Sequence, residues 1–216
     1  MNNKTKQLVT LAMLSAIAYI VMIVGRIPVV LFLKYDPKDV IIAIGGFIYG
    51  PFSAFIISAL VSFVEMLTVS DTGFIGLIMN IISTCSFACT AAYIYKNNRT
   101  LKGAIIGLIT GSLFMTAVML LWNYLITPFY LGYPRQAVVE LLLPAFLPFN
   151  LLKSGLNTAI TILLYQPIGT TLRKSNLIPE SVEGNKSRKI NLGVMLVAAV
   201  VLVTCTLIVL VLNGII

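Results

Sequence analysis

The 216-residue chain has no histidine and only seven aspartates and glutamates. Lack of histidine removes the commonest general base and transition-metal ligand. With so few carboxylates there is no paired-acid constellation and no nucleophile–base pair. Neither an enzyme nor a metal site is therefore expected, and no cofactor is implied. The three cysteines, Cys85, Cys89 and Cys205, fall in apolar segments without metal-ligand spacing and read as small buried hydrophobes. No G-x-x-x-x-G-K-[ST] loop is present, which excludes nucleotide hydrolysis through a P-loop. Charge of any sign is scarce, at 10% of residues, where a soluble domain averages about 25%.

The chain is rich instead in hydrophobic residues, at 59%, with a mean hydropathy of +1.01. It reads as an integral protein of the lipid bilayer with little chain outside it. The net charge of +8 then reflects Lys- and Arg-rich cytoplasmic loops rather than nucleic-acid binding. Apolar runs place membrane spans at Leu8–Gly25, Phe52–Val69, Phe74–Tyr95, Gly103–Ile126, Pro148–Leu172 and Ile190–Leu212. Val40–Gly50 makes a shorter one, closed by the turn signal Gly50-Pro51. Eleven residues give about 16 Å of helix, too short to cross alone. The first span resembles a signal peptide but lacks a convincing cleavage site, and reads as a retained helix.

With the N-terminus in the cytoplasm, Lys4, Lys6, Lys96, Arg99, Lys102, Arg173, Lys174, Lys186, Arg188 and Lys189 lie inside. Only Arg26, Lys34, Lys38 and Arg135 lie outside. This bias predicts a multi-pass cell-membrane protein with a cytoplasmic N-terminus and an extracellular C-terminus. The fold class expected is all-α: a six-helix membrane domain over 1–174, a hydrophilic cytoplasmic linker over 175–189, and an additional transmembrane helix over 190–213.

The polar residues inside the spans are not scattered. Glu65, Asn80, Asn123, Asn150, Lys153 and Asn157 all fall in the outer half in this orientation. Asn150, Lys153 and Asn157 are spaced i, i+3, i+7 and share one helix face. A lysine at such depth costs about 2.5–3.5 kcal/mol on insertion scales. Pairing with Glu65, or hydrogen bonding between helices, could account for individual residues. The set as a whole predicts a pocket open to the outside, because an intramembrane ionisable group marks function by default. Amides, one cation and nearby aromatics (Trp122, Tyr124, Phe129, Tyr130, Phe146 and Phe149) suit a planar polar heterocycle better than an ion. The inner half offers mainly Ser, Thr, Gly and Ala, suited to close helix packing. On the first span, Ala12-x-x-x-Ala16 is a small-residue face that another helix could approach, or plain internal packing.

Three features together resemble the substrate-binding S components of energy-coupling factor (ECF) transporters: Ala12-x-x-x-Ala16, the long outer loop "RIPVVLFLKYDPKDVIIAIGGFIYGP", and the pair "WNYLITPFYLGYPR" and "LLPAFLPFNLLKSGLN". The last two are similar to the riboflavin-specific branch. The resemblance covers about residues 8–172. It implies a six-helix vitamin-binding subunit that holds riboflavin, as transported ligand, in the outer half of the membrane. It implies ring recognition by Asn150 and Lys153, with Asn123 and Asn157 as further contacts, and helix docking through Ala12 and Ala16. The implied partners are a transmembrane coupling subunit and two ABC ATPases, the S component reorienting in the membrane to deliver its pocket inward. By position, Tyr35 and Asp36 in the outer loop are candidates for a lid. The remaining readings are an S component for thiamine, folate or a queuosine precursor, a stand-alone carrier without ATPases, and an assembly factor whose polar cluster is helix glue. The helix over 190–213 departs from the six-helix pattern.

Overall fold

The structure is a computed structural model and describes residues 3–30, 33–174 and 192–212. The chain runs α1 (Asn3–Gly25), β1 (Ile27–Val30), β2 (Leu33–Tyr35), α2 (Lys38–Tyr49), α3 (Pro51–Thr68), α4 (Gly73–Thr84), α5 (Thr90–Asn97), α6 (Leu101–Leu131), α7 (Arg135–Leu141), α8 (Leu147–Lys174) and α9 (Leu192–Leu212). A π-helical turn, Cys85–Cys89, joins α4 to α5 into one continuous rod, and a second, Leu142–Phe146, joins α7 to α8. Six of the resulting helices are long and apolar enough to cross a membrane. The linker expected over 175–189 lies outside the described residues.

The second span, read as too short to cross alone, is not a membrane-crossing helix in its own right. Its 12 residues have Lys38 through Phe47 buried, because α1, α3 and α8 surround it. It is an internal rod of the bundle, about 18 Å long. The long loop after α1 contains a short antiparallel hairpin, which the all-α expectation did not include. Ile27 pairs with Tyr35 and Pro28 with Lys34, with an irregularity between Pro28 and Val30. Proline and alternating β-branched residues fit an edge hairpin.

Gly50, at φ 96°, makes the reversal between α2 and α3, and Pro51 starts the next helix at a position where its missing N–H costs nothing. Small residues let backbones approach. A Cβ on Gly107 would stand 2.6 Å from the Ala91 carbonyl oxygen, and one on Gly111 would stand 2.5 Å from that of Phe87. The α5–α6 interface thus depends on glycine, as membrane helix pairs commonly do. One apolar core collects Ala18, Ile42, Ile57, Phe87, Leu108 and Met115 between α1, α2, α3, the first π turn and α6. A second joins the hairpin to α7, α8 and α9.

Candidate functional site

The C-terminal ends of α1 and α3, the N-terminal ends of α2 and α4, and the N-terminal part of α8 meet at one end of the bundle. Here the structure places a buried network of charges. Glu65 accepts hydrogen bonds from Arg26, from Lys38 and, at 3.0 Å, from the Asn80 amide. Lys38 also lies 3.6 Å from Asp36. Beside this group, Asp39 accepts from the Thr84 hydroxyl at 2.6 Å and from the Asn157 amide at 3.2 Å. The Lys153 ammonium is 3.5 Å from the same Asp39 oxygen that Asn157 contacts. The Tyr35 hydroxyl donates to the Asn157 side-chain oxygen at 3.1 Å. The hairpin is thereby tied to α8, and α8 to α2.

Six charges are gathered here: Arg26, Lys38 and Lys153 against Asp36, Asp39 and Glu65. Lys38 and Asp39 are fully buried, and Lys153 is 6% exposed. Removing an ion from water costs several kcal/mol, which only close opposite charges and further hydrogen bonds offset. Each carboxylate here has a cation within 4 Å. In the outer loop, burial alone would raise the Asp36 carboxyl. Lys38, Lys153 and Arg26 outweigh it and hold the group below the usual carboxylate range. Burial, with Asp39 and Asp36 nearby, pushes the Tyr35 hydroxyl above its usual range, so it stays a hydrogen-bond donor.

Of the residues singled out from the sequence, the structure brings Tyr35, Asp36, Glu65, Asn80, Lys153 and Asn157 into this network. Lys153 pairs with Asp39 rather than with Glu65, whose oxygens are taken by Arg26 and Lys38. Asn123 and Asn150 are buried, but their described hydrogen bonds stay within their own helices. The Asn123 amide donates to Met119 O at 2.7 Å and its oxygen accepts from Thr127, while Asn150 donates to Phe146 O at 2.7 Å. In this conformation the polar groups of the network close on one another and are largely buried. A cleft of about 560 Å³ at the same end is lined by Tyr124, Arg135, Gln136, Val139 and Glu140, none of them in the network. Among the aromatics, Phe146 and Phe149 are buried next to the hairpin. Phe129 is 78% exposed and forms no wall. Ala12 and Ala16 both lie on the exposed face of α1.

Sequence reasoning missed Arg26, Lys38, Asp39 and Thr84. Aspartates were expected in loops, and Lys38 among the external loop charges. The structure instead puts Lys38 and Asp39 in the first turn of α2. The signal was available as the dense charge in "KYDPKD" immediately before a wholly apolar segment.

This site sits on a fold with known counterparts. The family model described as "ECF transporter, substrate-specific component" matches residues 6–165. The chain belongs to this family. Members are transport components and not enzymes. The riboflavin transporter RibU of Staphylococcus aureus (strain TCH60) is 29% identical over 181 residues, 79% of this chain and 94% of the relative. The riboflavin transporter FmnP of Bacillus subtilis (strain 168) is 28% identical over 175 residues, 75% of this chain and 91% of the relative. A solved structure described as "Structure and mechanism of the S component of a bacterial ECF transporter" superposes with a TM-score of 0.66 at 31% identity. It covers 79% of this chain and 99% of that one. As an S component, this chain is a multi-pass membrane protein. Its α9 lies beyond the residues that the family model matches.

Proposed function

We propose that this S component binds riboflavin at the charged end of the bundle and delivers it inward with an ECF coupling module. The observation that carries the proposal is the Asp39–Lys153–Asn157 triad, buried at one end of a membrane bundle and latched by Tyr35 of the hairpin. The names of the related riboflavin transporters support the choice of ligand. The isoalloxazine edge offers carbonyl oxygens and a ring nitrogen that accept from the Lys153 ammonium. It also carries an N–H that an amide or carboxylate oxygen accepts. Asn157 and Asn150 lie on the same face of α8 and complete the edge, with Glu65 and Asn80 beyond them. A neutral ligand suits a site whose cations and carboxylates already balance. In this reading ligand entry separates Tyr35 from Asn157 and loosens Lys153 from Asp39, and the hairpin closes again over the occupied site.

The charge bias of the loops puts this end outside the cell and the N-terminus in the cytoplasm. The exposed Ala12–Ala16 face of α1 is the docking surface for the transmembrane coupling subunit, and two ATPases supply the energy. The test is an absorbance spectrum of the protein purified in detergent, followed by quenching of riboflavin fluorescence. Flavin bands that disappear in Lys153→Met support the reading. At least about tenfold weaker binding is expected from the loss of one charge-assisted hydrogen bond. A wild-type protein that neither carries flavin nor quenches riboflavin sinks the ligand assignment. Thiamine, folate and queuosine precursors would then be screened.

A further inference from the structure

The helix that lies outside the family match is not an isolated anchor. α9 packs along α8 and touches β1 of the hairpin. Gly155 on α8 faces this helix, a Cβ there lying in ordinary contact at 3.5 Å from the Cys205 sulfur. One turn further along α9, Val209 is 7% exposed. It belongs to the same buried apolar cluster as Val29, Leu33 and Tyr35 of the hairpin and Phe146 and Phe149 of the α8 rod. A two-stranded hairpin is marginal in isolation and needs a packed face to persist. Here that face is supplied in part by a helix beyond the residues that the family model matches. The rest of α9 is largely exposed, with Val200, Val203 and Leu207 all pointing away from the protein.

We propose that α9 is a positioning element for the hairpin: its contact through Val209 holds Tyr35 against Asn157 and so sets how readily the site opens. The chain of contacts is explicit. Val209 packs in the hairpin's cluster, Tyr35 donates to Asn157, and Asn157 donates to Asp39, the partner of Lys153. Loosening the first contact relaxes the latch without touching any group that would meet ligand. The extra helix would then slow both entry and escape of the cargo, while leaving the polar contacts that fix its identity unchanged.

The test uses the full chain and two readouts. Hydrogen exchange of the ligand-free protein reports the hairpin directly. Val209→Ala is expected to speed amide exchange over Ile27–Val30 and Leu33–Tyr35 by about five- to tenfold, as removal of buried methyl groups at a lid contact would. Exchange in the middle of α3 should stay as in wild type. Val203→Ala, on the exposed face of α9, should change neither. The second readout rests on the riboflavin reading: dissociation of bound riboflavin should accelerate by a similar factor in Val209→Ala. Unchanged hairpin exchange in Val209→Ala overturns the proposal, even if the melting temperature falls, since that pattern is a structural role alone. Faster hairpin exchange with no riboflavin binding in wild type sustains the positioning role and rejects only the ligand.

Discussion

Asp39 and Lys153, on α2 and α8, meet at 3.5 Å in a part of the protein from which both are almost wholly withdrawn from solvent. The lysine that looked unaccountable within an apolar helix has its counter-charge on the one helix too short to span a bilayer. Asp39 is held in turn by Thr84 and Asn157, so the pair is part of a scaffold and not a chance contact.

Removing one member of this pair strands the other. Asp39→Asn is expected to lower stability by about 3–5 kcal/mol, the usual cost of leaving a buried charge alone. Lys153→Met should also destabilise, although less, because Thr84 and Asn157 still donate to Asp39. The double variant should lose clearly less than the two single losses added together. Thermal melts of all four proteins in one detergent close the cycle. Simple additivity would mean that the two charges do not interact.

Acid should weaken the hairpin end of the site. Asp36 is held below its ordinary carboxylate range in the folded protein. Its contribution to stability is therefore complete above its unfolded value of about 3.9 and is lost as pH falls through the lower folded value. The melting temperature should decline on acidification below about pH 4, and Asp36→Asn should flatten that part of the profile. An unaltered profile in Asp36→Asn would assign the decline to other carboxylates.

Toward the other end of α2, Gly107→Leu should be poorly tolerated. Even its first side-chain carbon would fall 2.6 Å from the Ala91 carbonyl oxygen. Forcing α5 and α6 apart is expected to cost about 1–3 kcal/mol or more, read as a lower melting temperature and reduced yield of monodisperse protein. Riboflavin affinity of the surviving folded fraction should be nearly normal, because this part of α5 packs by Gly46, at the far end of α2 from Lys38 and Asp39.

Substitutions on the exposed face of α1 should do the reverse. Ala12→Leu and Ala16→Leu touch no described core residue, so melting temperature and ligand binding should match wild type. If this face receives the coupling subunit, copurification of that subunit and uptake of riboflavin by cells should both fall. Undiminished uptake with either variant would place the docking surface elsewhere.

The sequence carried the class of the protein and most of its membrane layout because hydropathy over about 20 residues is a strong signal. It also carried the shared face of Lys153 and Asn157, since helical spacing fixes angular position whatever the tertiary fold. It did not carry the partners. Lys38 and Asp39 precede an apolar run only 12 residues long, and charge beside a short hydrophobic run looks like a loop. Only the packing of α1, α3 and α8 around α2 makes that end an interior. Asn123 and Asn150 show what depth alone leaves open. Their depth in the membrane suggested convergence, yet an asparagine can bond the carbonyl four residues back on its own helix, as both do. The hairpin was hidden because strands of four and three residues, the first carrying Pro28, give too short an alternation to read.

The even match of three cations and three carboxylates at this end also bears on how such a protein can change over generations. Asp39 or Lys153, altered alone, leaves the other buried without its ion-pair partner. Single steps away from this arrangement therefore meet a stability barrier before they reach any new selectivity. Descendants that come to carry a differently charged cargo would be expected to differ at two of these positions together, most simply at 39 and 153, while the apolar lining around them drifts freely.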